Sequence, residues 1–338
     1  MELFILGWFL PVELVHSIVT KAAHPYNRPM TDLMHHLKLF FKSTKEGGEI
    51  PLLVICGPTA SGKTALSLKI AEEFNAEIIS ADSAQVYRKL DIGSDKVSPA
   101  ERQRVKHHLI DIRDPDQSFT MADFKREATH AIQEILAKGK VPLICGGTGL
   151  YISSVVDNYD LPVAPPDPKI RAELEAEFTK GGKERLYEIL TQLDPVSASK
   201  IHPNNVRYVA RALEIVLVTQ KPKQVGKAKR LYNVFKMAID WPREVLYERI
   251  DKRVNEQIEK GLLNELKTLL SEGYSERSQA FYKEYFPYLR GEKPLKECKE
   301  ELKQNTRNFA KRQLTWFRKE EDIYWIPPEE FLELTKTK

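Results

Sequence analysis

The sequence predicts an α/β fold, a parallel sheet flanked by helices and carrying a helical insertion, and three observations carry that prediction. From residue 51 to about 156, short continuous apolar runs alternate with helical periodicity. A glycine-rich turn joins the first apolar run to the first helix. From about 157 to 235, charged helical stretches replace the strands.

Residues 1–50 read as an N-terminal extension. An apolar opening, Leu3 to Leu10, is followed by a Pro-rich joint, His24 to Pro29. Met30, Leu33, Met34, Leu37, Phe40 and Phe41 then recur at helical spacing before Gly47-Gly48. That pattern describes an amphipathic helix packed on its own domain rather than a targeting element. Leu52-Leu53-Val54-Ile55-Cys56 is an unbroken apolar run, as expected of a strand buried on both faces. Ala65 to Phe74 has helical periodicity, and Glu77 to Ala81, His108 to Ile112 and Val141 to Cys145 read as further strands, with a helix over Ala122–Ala137 before the last. A Pro-rich linker, Leu161 to Pro168, leads into helical stretches at Lys169–Phe178, Glu184–Leu193 and Asn205–Thr219. Phe235 to Ile239 marks a return to the α/β body, which helices complete from 236 to 338.

Composition narrows the function. The 338 residues suffice for two cores, and 52 Lys and Arg against 48 Asp and Glu give a net charge of +4, which permits nucleic acid as a partner without demanding it. Three scattered cysteines supply neither a disulfide framework nor a Cys-x-x-Cys zinc site, which fits a reducing compartment. The longest apolar stretch falls far short of the roughly 20 residues that span a bilayer. Glu2 and the lack of a small-residue cleavage site argue against a secretory signal. The expectation is a cytoplasmic protein with no membrane partner, acting as a monomer.

The strongest motif is Gly57-Pro58-Thr59-Ala60-Ser61-Gly62-Lys63-Thr64, a P-loop set between a strand and a helix. Its backbone N–H groups and the helix N-terminus cradle a diphosphate, Lys63 reaches a terminal phosphate, and Thr64 can ligate Mg2+. The fold expected is therefore P-loop NTPase-like. The loop reports a bound di- or triphosphate, not whether a phosphoryl group moves. Asp82, in Ser80-Ala81-Asp82-Ser83-Ala84-Gln85-Val86-Tyr87, lies just past a strand's carboxyl end, where open α/β sheets place ligands. An N-cap is the alternative reading of Asp82. Gly146-Gly147-Thr148-Gly149 follows another strand, so Thr148 should face the same crevice.

In chain order, the P-loop, Asp82 to Tyr87, Asp91-Ile92-Gly93, Asp111-Ile112-Arg113-Asp114-Pro115, Gly146 to Tyr151, Arg211-Ala212-Leu213-Glu214 and Ala310 to Phe317 resemble the signatures of the tRNA dimethylallyltransferases. The resemblance runs from about 51 to 326. It implies transfer of a dimethylallyl group from dimethylallyl diphosphate to N6 of the adenosine 3′ of the anticodon. It further implies that Asp82 accepts the amine proton, that Thr148 holds substrate, and that Lys63, the P-loop amides, Thr64-bound Mg2+ and Arg253 stabilise the leaving diphosphate. Arg253 enters through the family's R-I-x-x-R stretch, here Arg249 to Arg253. By the same resemblance, tRNA is contacted by Asp82, Ser83, Ala84, Gln85, Thr148, Arg171, the stretch Arg207-Tyr208-Val209-Ala210-Arg211, and Ser278-Gln279-Ala280-Phe281-Tyr282-Lys283.

Two departures stand out. Arg207-Tyr208 replaces paired arginines, and Ala280-Phe281-Tyr282 stands where the family has isoleucine-glycine-tyrosine. Residues 283–320 carry 11 Lys and Arg against 6 Asp and Glu, a face that attracts phosphate. The adenosine must flip out of its stack to reach a buried diphosphate, so the partner expected is the tRNA anticodon stem-loop. The alternatives are a P-loop small-molecule or nucleoside kinase using ATP, and a non-catalytic P-loop RNA-binding protein.

Overall fold

The structure, a computed structural model, describes residues 33–161, 167–220 and 226–336, with backbone alone at 277–281. The apolar opening, the Pro-rich joint at 24–29 and most of the second Pro-rich linker lie outside the described residues.

The chain divides into two compact units, Asp157–Arg230 and the remainder. The larger unit begins, among the described residues, with α1 (Leu33–Glu46), β1 (Pro51–Cys56), α2 (Lys63–Glu73), β2 (Ala76–Ser80), α3 (Pro99–Arg104) and β3 (His107–His108). It continues with α4 (Met121–Ala137), β4 (Val141–Gly146) and α5 (Gly149–Val156). After the smaller unit come β7 (Asn233–Ile239), α9 (Arg243–Glu259), α10 (Leu262–Ser271), a 3-10 segment (Glu276–Tyr285), α11 (Phe286–Leu289), α12 (Leu295–Phe317), β8 (Ile323–Ile326) and α13 (Pro328–Thr335). The smaller unit holds β5 (Tyr159–Asp160), α6 (Pro168–Leu193), α7 (Pro195–Ala198), α8 (Val206–Thr219) and β6 (Gly226–Lys227).

Six strands form one sheet in the order β3-β2-β4-β1-β7-β8, and every pairing is parallel. Successive residues of β1 enter different cores. Leu53 and Ile55 pack with α1, α2, α9 and α13, while Leu52, Val54 and Cys56 pack with α4 and α5 on the other face. The run is unbroken because both faces are covered. The body is thus the P-loop NTPase-like parallel sheet that the sequence predicts.

The differences from expectation have local causes. The strand expected over His108–Ile112 stops at His108, because Leu109 and Asp111 take left-handed φ values of 64° and 59° that no strand accommodates. The sixth strand, β8, went unpredicted, since four residues after a charged turn give too little alternation to read. In the smaller unit, β5 and β6 make a two-residue antiparallel pair in a region expected to be wholly helical. α6 is broken at Gly181-Gly182, whose backbone leaves the helical region, so the two helices expected there are distinct.

Capping and burial explain the helices that matter for the site. Thr120 and Asp123 close a reciprocal capping box at the start of α4, with Thr120 Oγ1 accepting the Asp123 N–H at 3.2 Å and Asp123 Oδ2 accepting the Thr120 N–H at 3.0 Å. In α1, Leu33 and Leu37 are fully buried, each contributing roughly 1.5–3 kcal/mol by leaving water. α1 is fastened to the sheet where Asn233 Nδ2 donates to Thr44 Oγ1 at 2.8 Å. The helix of the extension therefore packs on its own domain.

Candidate active site

Carboxyl ends of β1, β4 and β2 are neighbours in the sheet, and each releases one of the three motif loops. The P-loop leaves β1 with Gly57 at φ 132°, passes Ala60 at φ 61° and Gly62 at φ 97°, and enters α2 at Lys63. Its carbonyls are held from behind. Trp241 Nε1 donates to Ser61 O at 2.7 Å, and Arg249 Nε donates to Ala60 O at 2.8 Å while its guanidinium lies 4.8 Å from the Trp241 ring centre. Burial pushes the Arg249 guanidinium down to about 10. With these carbonyls committed, loop N–H groups other than that of Thr59, which Gln313 Oε1 accepts, can face an anion, and among the described residues the buried Ser61 hydroxyl has no hydrogen-bond partner.

Lys63 bends back over the loop, its Nζ donating to Pro58 O at 2.6 Å. Burial pushes this ammonium below its ordinary value; nearby Cys145 and Asp82 oppose the push and Arg253 adds to it. An arriving diphosphate, being negative, would oppose that push. Arg253, on α9, donates from Nη1 to Thr59 Oγ1 at 2.9 Å and lies 3.5 Å from Asp95 Oδ2. The R-I-x-x-R stretch thus puts both of its arginines on the P-loop, one holding backbone and one holding a side chain.

Asp82 follows β2. Its Oδ1 accepts the Ala84 N–H at 2.8 Å and the Gln85 N–H at 3.4 Å, so the carboxylate also caps its own turn. The two readings of Asp82, cap and catalytic group, are compatible, since the second carboxylate oxygen makes neither of these bonds. Thr148 is linked to the same turn: its Oγ1 accepts the Ser83 N–H at 3.3 Å and its N–H donates to Ala81 O at 3.2 Å. The loops meet closely because position 146 is glycine. A Cβ there would fall 2.2 Å from Ala81 O.

Gln85 faces inward. Its Oε1 accepts from Ser80 Oγ at 2.9 Å and its Nε2 donates to Ser94 O and Asp95 O at 3.4 and 3.3 Å, tying Asp82's turn to the Asp91–Asp95 turn. That second turn is gripped by two residues that carry no motif signal. Glu265 accepts the Asp91, Ile92 and Gly93 N–H groups at 2.9, 2.7 and 3.3 Å, and Gln257 Nε2 donates to Ile92 O and Gly93 O. Burial raises the Glu265 carboxyl, against the pull of those N–H groups. Tyr282 is buried at 3 % exposure in the core shared with α10, so it presents no side chain to solvent, and Ser278 to Phe281 are described by backbone alone.

The other tRNA candidates lie in the helical unit. Arg171 Nε donates to Glu214 Oε1 at 2.8 Å, and Arg211 Nη1 donates to Glu214 Oε2 at 2.5 Å. Burial of Glu214 would raise its carboxyl, but these arginines outweigh it and hold the group below the usual range. Tyr208 is 60 % exposed and Val209 is 1 % exposed in the helical core, so Arg207, Tyr208 and Arg211 are the side chains of this stretch that face outward. On α12 of the larger unit, Asn308, Lys311, Arg312 and Thr315 share one face of the helix around a shallow hollow open to solvent. Thr64 supplies one hydroxyl oxygen at the start of α2, and among the described residues no group of three or more His, Cys, Asp or Glu could hold a metal.

Comparison with known proteins gives one consistent result. A model of the IPP transferase family matches residues 85–320. A tRNA dimethylallyltransferase of Acetivibrio thermocellus is 46 % identical over 289 residues, covering 83 % of this chain and 92 % of that one. One from Carboxydothermus hydrogenoformans is 46 % identical over 283 residues, covering 81 % and 91 %. Among solved structures, the full-length tRNA isopentenylpyrophosphate transferase of Bacillus halodurans is 41 % identical with a TM-score of 0.62, covering 84 % of this chain and 94 % of that chain. A eukaryotic dimethylallyltransferase, captured acting on tRNA, is 28 % identical with a TM-score of 0.69, covering 82 % and 74 %.

Proposed function

The chain belongs to the IPP transferase family, and from that premise we propose that it moves a dimethylallyl group from dimethylallyl diphosphate to N6 of the adenosine 3′ of the anticodon in tRNA. The observation that carries this reading is the meeting of a phosphate cradle after β1 and a carboxylate after β2, with only β4 between those strands and with Lys63 and Asp82 close enough to influence each other's charge.

Adenine's amine is a weak nucleophile because its lone pair is delocalised into the ring. As the N6–carbon bond forms, the allylic carbon–oxygen bond breaks, the electron pair leaves with the diphosphate, and the N6 proton passes to Asp82. Lys63, the P-loop amides and Arg253 stabilise the charge gathering on the leaving group. Thr148, beside Ser83, holds the adenosine near the carboxylate. Thr64 would hold Mg2+ through its hydroxyl, the remaining ligands coming from the diphosphate and water, in keeping with that ion's preference for few protein ligands plus phosphate. When bound, the ion would neutralise part of the leaving group's charge.

Each unit offers groups suited to RNA: the smaller carries Arg171, Arg207 and Arg211 with the exposed Tyr208 as a stacking surface, and the larger carries Lys311 and Arg312 on α12. No helix among the described residues is long and apolar enough to cross a membrane. Because the substrate proposed is tRNA, we place the reaction in the cytoplasm. Neither alternative, kinase or non-catalytic RNA binder, is favoured by any relative reported above.

Calorimetric titration separates the prenyltransferase from the kinase. Dimethylallyl diphosphate with Mg2+ is expected to bind more tightly than ATP, because the proposed chemistry consumes no nucleotide. Tight ATP binding with no response to the prenyl diphosphate would favour the kinase.

A further inference from the structure

The Ala310–Phe317 signature contains a residue that the reaction scheme leaves without a role. Gln313, on α12, is 7 % exposed and its amide spans two motif loops. Its Oε1 accepts the Thr59 N–H of the P-loop at 2.9 Å, and its Nε2 donates to Gly147 O at 2.9 Å. One partner is a donor and the other an acceptor, so only one orientation of the amide satisfies both. The approach is close: a Cβ at position 147 would lie 2.3 Å from Nε2.

These bonds lie on a short path through the site. From Asp82 the chain passes to Ser83, whose N–H is held by Thr148; Thr148 adjoins Gly147, which Gln313 ties to Thr59. Thr59 in turn receives Arg253 on its hydroxyl. We propose that Gln313 is a positioning residue whose amide latches the P-loop to the Gly147-Thr148 turn and so sets the distance between the leaving-group cradle and the Asp82 carboxylate. The proposal rests on the prenyl-transfer reading. It assigns Gln313 no contact with either substrate: misalignment of the two loops lowers the rate of transfer while each substrate still finds its own binding groups.

The test uses the full chain with radiolabelled dimethylallyl diphosphate and tRNA lacking the modification. Gln313→Leu keeps the bulk and removes both bonds; kcat should fall by about 10–10²-fold, with KM for the diphosphate and Kd for tRNA within about threefold of wild type. Gln313→Glu keeps an acceptor for Thr59 but donates to Gly147 only when protonated, so its rate relative to wild type should rise as the pH falls. A wild-type kcat in Gln313→Leu, a loss seen mainly in diphosphate affinity, or a pH-independent Gln313→Glu ratio would overturn the latch. If the wild-type chain transfers no label, the functional reading fails, and hydrogen exchange at the Thr59 amide decides the latch separately. Protection lost in Gln313→Leu supports it, and equal protection in both proteins overturns it.

Discussion

Asp82→Asn is expected to lower the turnover of dimethylallyl transfer by about 10²–10⁴-fold, the range for loss of a positioned proton acceptor, while both substrates still bind. Asparagine is the informative replacement because Asp82 does two things. Its Oδ1 accepts the Ala84 and Gln85 N–H groups, and an amide oxygen can keep that turn folded. What the amide cannot do is take a proton from the adenosine amine. Alanine would remove the cap as well, and a slow Asp82→Ala enzyme could reflect an unravelled turn pulling Thr148 away through Ser83. Single-turnover rates at saturating substrates, set beside separate binding measurements, isolate the chemical step. Near-normal turnover in Asp82→Asn would remove this carboxylate from its role.

Affinity for tRNA is expected to fall linearly in log–log form with salt, and to do so less steeply once the arginines of the helical unit are gone. Each phosphate contact removed should reduce the slope by about 0.7–0.9 of a unit, so that replacing Arg171, Arg207 and Arg211 together removes about 20- to 40-fold of the affinity change between 50 and 200 mM salt. The three are not equivalent. Arg171 and Arg211 share the buried carboxylate of Glu214, so losing either leaves that charge with fewer partners and risks loosening α8 against α6. Arg207 is exposed and is absent from that cluster, which makes Arg207→Ala the cleanest single test. Prenyl-diphosphate binding should be unchanged in all of them. Binding that ignores salt, or a slope unaltered in the triple variant, would show that the helical unit is not a phosphate clamp.

The parallel sheet was legible because its central strands are buried on both faces and read as unbroken apolar runs, bounded by loops rich in glycine. Its edges were not. β3 is two residues long and ends where the backbone turns left-handed, and β8 is four residues of which the outer two alone are buried. Such elements are made by pairing with a neighbour already in place, which no local pattern records. The same division runs through the site. Asp82, Thr148 and the P-loop announce themselves by position after a strand, because the chemistry fixes both residue type and spacing. Gln257 and Glu265 grip the Asp91–Asp95 turn through backbone groups from more than 160 positions away, and a lone glutamine or glutamate in an amphipathic helix carries no mark of that. Trp241 sits in the same class: its bond to Ser61 O is visible only once β7 lies beside β1. Arg249 and Gln313 fall between, inside recognisable stretches whose resemblance says that they matter and not what they touch.

The central claim, that the phosphate cradle and the Asp82 carboxylate together prenylate an anticodon-loop adenosine, is tested most directly by incubating the protein with Mg2+, radiolabelled dimethylallyl diphosphate and undermodified tRNA, then digesting the RNA and locating the label. The account predicts label on N6 of the adenosine 3′ of the anticodon, diphosphate released in equal amount, and no requirement for ATP. Label that stays in the diphosphate, or that appears on tRNA at another base, would contradict it.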